Sequence, residues 1–216
     1  MKSCTLFCAG EFDAPVCPIA ENELIIAADG GLNHLEKLGR TPTVILGDFD
    51  SLGYTPKGAQ VFPVEKDDTD SMLALRYGLN AGCDRFILYG ALDGPRHDHT
   101  VANYQALAFL ASQGAIGYLV GKDVIVTAIK NSKLELPPLD EGIFSTFCLG
   151  GDAHGVTLEG LQYPLKDGTL RSSFPLGVSN HFIGKAATVT VRDGTLLLFY
   201  PRKAGIVAAL SLTTPT

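Results

Sequence analysis

The 216-residue chain lacks the features that mark several large functional classes. Basic residues are not in excess: 17 Lys and Arg against 23 Asp and Glu give a net charge of −6. That balance argues against a nucleic-acid or membrane-surface role, where a basic patch is expected. No apolar run reaches the length needed to cross a bilayer. The five cysteines (Cys4, Cys8, Cys17, Cys83 and Cys148) are odd in number, scattered, and free of CxxC or Cys/His spacing. They read as reduced thiols of a cytoplasmic protein, not as a zinc site or a disulfide frame. There is no Walker P-loop and no GxGxxG behind a strand, so any nucleotide is held by a less common arrangement. Repeats and low-complexity segments are also missing. The apolar stretch ahead of Leu6-Phe7-Cys8-Ala9-Gly10 is too short for a signal peptide and reads as a first strand.

What is present is a substantial apolar fraction, 46% of residues, enough to bury a real core. Short apolar runs at 4–9, 24–28, 43–46, 61–64, 85–89 and 116–120 suit strands buried on both faces. Between them lie helical stripes. Leu32, Leu35 and Leu38 stop at Gly39; Met72, Leu75 and Leu79 open at Thr69 or Asp70 and close at Gly82; Val101, Tyr104 and Leu107 close at Gly114. This alternation predicts an α/β fold with a doubly wound, mostly parallel sheet over residues 1–130. Pro137-Pro138 and its polar neighbours read as a linker over 131–142. Short glycine-punctuated strands follow, and predict a small all-β sandwich-like domain over 143–216. Asp193-Gly194 is a hairpin signal between the last two of them.

The chemistry gathers at predicted strand ends. Asp29-Gly30-Gly31, Gly47-Asp48-Phe49-Asp50-Ser51 and Lys66-Asp67-Asp68-Thr69-Asp70 each follow an apolar run. Open α/β sheets bind ligands outside the carboxyl ends of their strands, so these carboxylates converge on one crevice. Like charges gathered there call for a cation, and hard oxygen donors beside a polyphosphate suit Mg²⁺. A single Asp-x-Asp is equally an Asx-turn, and Asp67 or Asp68 equally a helix cap. Gly30 and Gly31 fit either a phosphate at a helix N-terminus or a tight turn. After the run at 85–89, Arg96-His97-Asp98-His99 enters a helix. Arg96 has the fork geometry for phosphate oxygens, Asp98 suits a metal, Arg96 or the helix cap, and His99 points at the same crevice. Gly177-Val178-Ser179-Asn180-His181-Phe182 combines polar donors with an aromatic ring outside any clear strand.

Taken together and in this order, these motifs resemble those of thiamine pyrophosphokinases, as does Gly155-Val156-Thr157-Leu158-Glu159-Gly160-Leu161-Gln162-Tyr163-Pro164-Leu165. The resemblance implies a homodimer with active sites between subunits. It also implies transfer of the diphosphoryl group of ATP to thiamine, giving AMP and thiamine diphosphate, with Mg²⁺. By the same analogy Asp48, Asp50 and Asp70 handle metal and phosphate, with Asp98 and Arg96 joining the catalytic set. Asp29, Gly30, Gly31, Thr69 and His99 line the ATP site, and Ser179, Asn180 and Phe182 the thiamine site. Two departures stand out. Asp93-Gly94-Pro95 replaces the usual glycine pair before Arg96, and Pro95 has no N–H to donate. The chain has no tryptophan, so Phe182 is the candidate flat surface for a thiamine ring. The alternatives are diphosphoryl transfer to another alcohol such as a hydroxymethylpterin, metal-dependent phosphoester hydrolysis, and a sensor without turnover.

Overall fold

The computed structural model describes residues 2–20, 22–49, 53–61, 68–203 and 205–206. The chain divides into two compact units: residues 1–106 with 117–122, and residues 107–116 with 123–216. No helix among the described residues is long and apolar enough to cross a membrane.

The first unit is built on β1 (Ser3–Phe7), β2 (Leu24–Ala28), β3 (Val44–Gly47), β4 (Gln60–Val61), β5 (Arg85–Tyr89) and β6 (Ile116–Val120). Their order in the sheet is β6-β5-β1-β2-β3-β4. β1 pairs in parallel with both β2 and β5, and the parallel ladder continues from β2 to β3 and β4. Leu6, Phe7, Ile26, Ala27, Phe86 and Leu88 are buried, as expected where strands carry apolar side chains on both faces. The helices are α1 (Leu32–Lys37), α2 (Asp70–Asn80) and α3 (His97–Ser112). Thr69 caps α2, its hydroxyl accepting the Met72 N–H at 3.3 Å. α3 begins at His97, with the Arg96 loop leading directly into it.

The second unit contains β7 (Val124–Lys130), β8 (Lys133–Leu136), β9 (Ile143–Cys148), β10 (Ala153–Glu159), β11 (Leu165–Leu170), β12 (Asn180–His181), β13 (Ala187–Thr190) and β14 (Thr195–Pro201). Its strands run β12-β9-β14-β7 in one sheet and β11-β10-β13-β8 in the other, antiparallel at each pairing. The α/β class with a mostly parallel sheet and a second, antiparallel β part is therefore as expected.

Three details add to the sequence reading. β7 falls in the second unit, which resumes at Asp123. The supposed linker carries β8, whose Leu134 and Leu136 are buried and whose backbone pairs with β13. Asp193-Gly194 does not close a hairpin: β13 pairs with β10 and β8, while β14 pairs with β7 and β9. The turn instead passes the chain between sheets, held by Gly194 N–H on Asn131 Oδ1 at 2.8 Å.

Candidate active site

In the first unit, a cleft of about 690 Å³, counted to its open mouth, sits at the carboxyl ends of the parallel strands. The segments that follow β1, β2 and β5 contribute Cys8 to Gly10, Asp29, and Gly90 with Ala91. The first turn of α2 adds Thr69, Asp70 and Ser71. The loop after β5 and the start of α3 add Asp93, Arg96, His99 and Asn103. The position is the one that parallel-sheet topology dictates for a ligand.

Local backbone explains how the acidic motifs meet. Asp29 sits in a short 3₁₀ turn with φ of 48° and is only 9% exposed. Such a left-handed conformation is uncommon outside glycine, though aspartate tolerates it better than most residues. Gly31 is required by packing: a Cβ there would lie 2.0 Å from the Phe7 carbonyl oxygen. Gly30 and Gly31 are both buried, and the close approach to Phe7 accounts for glycine at position 31. At Gly47 a Cβ would meet Asp29 backbone and side-chain atoms at 3.1 to 3.2 Å, so this glycine lets the end of β3 lie against Asp29. Asp48 follows it, half-buried, and Phe49 turns back into the core at φ of 61°. Asp50, Ser51, Lys66 and Asp67 lie outside the described residues.

Arg96 and Asp98 form a bidentate pair: Nε donates to Oδ1 at 2.9 Å and a terminal nitrogen to Oδ2 at 2.8 Å. Both side chains are exposed. The hydrogen bonds from Arg96 hold the Asp98 carboxyl well below the usual carboxylate range, and Asp98 in turn raises the guanidinium. Arg96 lines the cleft, whereas Asp98 braces Arg96 from outside the lining. Burial, with the charge of Asp70 behind it, pushes the Cys8 thiol up to about 12, so it stays neutral.

Asp29 and Asp70 offer hard oxygen donors on the cleft wall, the donor chemistry Mg²⁺ prefers. Among the described residues no group of three or more His, Cys, Asp or Glu is placed to hold a metal ion.

The sequence missed Ser71, Asp93 and Asn103 as cleft residues. Asn103 was legible in one respect: it lies four residues after His99, hence on the same face of α3.

In the second unit, Ser179 is exposed, with φ of 59°, and its N–H donates to Ser145 Oγ at 3.1 Å. Asn180 is 5% exposed and its amide is occupied internally. Oδ1 accepts from Tyr163 N and His181 N, both at 2.9 Å, and Nδ2 donates to the Tyr163 carbonyl at 2.7 Å. Phe182 does not present an open ring. It is 3% exposed and packs edge-on to Phe144, with centroids 6.1 Å apart, because an unpaired aromatic ring gains most by joining the core.

The family model of the thiamin pyrophosphokinase catalytic domain matches residues 18–116, and that of the thiamin pyrophosphokinase vitamin B1 binding domain matches residues 132–196. The two together take in well over half of the chain. The chain belongs to the thiamin pyrophosphokinase family. Thiamine pyrophosphokinase of Bacillus subtilis (strain 168) is 27% identical over 187 residues, which is 82% of this chain and 87% of that protein. A crystal structure of thiamine pyrophosphokinase from Bacillus subtilis matches with a TM-score of 0.78 at 26% identity, covering 93% of this chain and 99% of that one. Yeast thiamin pyrophosphokinase shares the fold, with a TM-score of 0.71 at 15% identity over 98% of this chain and 89% of that one. As a thiamin pyrophosphokinase family member the protein is an enzyme. Asp29, Asp70, Arg96 and His99 fall within its catalytic match, and Ser179, Asn180 and Phe182 within its B1-binding match.

Proposed function

We propose that this chain transfers the diphosphoryl group of ATP to the primary hydroxyl of thiamine, yielding thiamine diphosphate and AMP. The observation that carries the reading is the meeting of Asp29, Asp70 and Arg96 in one cleft at the strand ends, in a chain matching both halves of the family. The B1-binding match over 132–196 favours thiamine over a pterin alcohol as acceptor, and favours an enzyme over a sensor.

In this reading the hydroxyl oxygen of thiamine attacks the β-phosphorus in line. The bond from that phosphorus to the oxygen bridging the α-phosphate breaks, and AMP leaves with the oxygen. The protein's task is to position the reactants and to meet charge on the phosphoryl oxygens. Arg96, pre-oriented by Asp98, supplies a planar cation. Asp70, with Asp48 and Asp50 in the family analogy, would hold Mg²⁺, and Asp29 adds a further hard oxygen donor on the same cleft wall. When bound, Mg²⁺ neutralises charge on the diphosphoryl group. Asp98 is the poorer acceptor for the hydroxyl proton, because Arg96 depresses its basicity and it stands outside the lining. Of the two, Asp70 is the one that lines the cleft. Thr69 and His99 would contact ATP. On the acceptor side Ser179 offers an exposed hydroxyl, whereas Asn180 shapes the loop by holding Tyr163.

A homodimer is part of the proposal. Ile143, Phe147, Phe174, Leu176 and Val178 leave large apolar side chains exposed on the second unit, which supports association with another copy. A cytoplasmic site of action fits the free thiols of Cys4, Cys8 and Cys83.

The test is incubation with ATP, Mg²⁺ and thiamine, with products separated by chromatography. Equal amounts of AMP and thiamine diphosphate, both absent without thiamine, are expected. ADP with thiamine monophosphate would show attack at the γ-phosphorus and overturn the proposal.

A further inference from the structure

We propose that Asn103 is a positioning residue for this reaction, holding the first turn of α2 and its Asp70 in register with the loop that leads to Arg96. The inference rests on the reading of the cleft given above.

Four hydrogen bonds in series make the connection. Thr69 Oγ1 accepts the Met72 N–H at 3.3 Å and lies 3.0 Å from Ser71 Oγ. Ser71 Oγ donates to Asn103 Oδ1 at 3.0 Å, and Asn103 Nδ2 donates to the Ala91 carbonyl at 2.7 Å. Their direction follows from the chemistry of each group. A carbonyl oxygen only accepts, so Ala91 O fixes which end of the Asn103 amide faces it. Ser71 has one hydroxyl proton and spends it on Asn103 Oδ1. The proton between the two hydroxyls therefore comes from Thr69. The chain runs one way, from Thr69 through Ser71 and Asn103 to Ala91, with a donor and an acceptor matched at each joint.

Its placement gives it consequences for the chemistry. Asp70 sits between Thr69 and Ser71, so the two hydroxyls that anchor the chain flank the carboxylate assigned to metal and proton handling. Ala91 opens the loop running to Arg96, and Thr100 Oγ1 from the same helix donates to the next carbonyl, Leu92 O, at 3.2 Å. Asn103 is only 7% exposed, so water does not readily replace a lost partner. A change in this side chain thus reaches both Asp70 and Arg96 without touching either. Misplacing a catalytic group by about 1 Å costs on the order of 100-fold in rate.

The experiment compares wild type with Asn103→Ala, Ser71→Ala, their double variant, and Ser71→Thr. Wild-type product formation is measured first and judges the function. Amide hydrogen exchange of the first turn of α2 judges the network independently of turnover. Asn103→Ala and Ser71→Ala should both speed exchange at Met72 and lower kcat by about 10- to 100-fold, with the thiamine KM within about twofold. The double variant should be no worse than the poorer single one, and Ser71→Thr, which keeps the hydroxyl, should restore activity. If Asn103→Ala does not fold, Asn103→Asp serves in its place: it still accepts from Ser71 but cannot donate to Ala91 O. Unchanged kcat in the folded variants, or losses that multiply in the double variant, would overturn the proposal.

Discussion

The two units use their polar residues in opposite ways. In the first, Asp29 from the turn after β2, Asp70 from the first turn of α2 and Arg96 from the loop after β5 open onto a cleft. In the second, Asn180 lies in the motif that most resembles a ligand loop, yet its amide is spent on Tyr163 and the neighbouring backbone. The difference follows from topology. Parallel strands all finish at the same sheet edge, so polar residues placed after them meet by construction. Antiparallel strands of two sheets have no common finishing edge, and a polar residue beside them is often needed to satisfy backbone that the ladders leave unpaired.

The largest test of that contrast is Asp70→Asn. It removes a carboxylate from the cleft while leaving the shape of α2 intact. Turnover should fall by on the order of 10²- to 10³-fold, the range seen when one electrostatic stabiliser is lost. Stability measured by urea unfolding should change by no more than about 1 kcal/mol, the scale of a charge at a helix N-terminus. Asn180→Ala should do the reverse. It strands the Tyr163 N–H and carbonyl, and should cost about 3 kcal/mol in the same urea experiment. Its kcat per folded molecule should stay within a few-fold of wild type. If Asp70→Asn unfolds the protein, or Asn180→Ala weakens thiamine binding without loss of stability, the division between chemistry and scaffold fails.

Much of the first unit was legible because its signals are local. β2 and β5 are apolar runs found at the expected residues, and α2 has its cap at Thr69 and its stop at Gly82. The strand-end aspartates could be placed once the sheet was read as parallel. Asn103 was harder, because its partners Ser71 and Ala91 are far away in sequence and only the fold brings them together. In the second unit the distances are longer still. Nothing near Asp193-Gly194 says that β14 continues into a different sheet, since its partner β7 lies some sixty-five residues earlier, Thr195 against Lys130. Phe182 looked available because an aromatic ring directly after polar Asn180 and His181 gives no sign of whether it faces solvent or Phe144. Gly31 shows the same limit within the first unit: a phosphate cradle and a close approach to Phe7 both demand glycine.

The smallest test concerns Cys8, the buried thiol that lines the cleft without an assigned chemical role. Its folded pKa is raised from 9.0 to about 12, first by burial and then by the charge of Asp70. A raised folded value means the native state resists ionisation that the unfolded chain accepts. The stabilisation from keeping Cys8 neutral is therefore fully present below about pH 9 and is lost as pH rises toward about 12. Cys8→Ala has no proton to release, so its alkaline stability curve should be flatter. Between about pH 8 and about pH 10 it should lose about 1 kcal/mol less than wild type in paired urea titrations. Parallel curves would mean that Cys8 ionises as easily in the folded protein as in the unfolded chain. The cleft wall around Cys8 would then be wetter than its burial indicates.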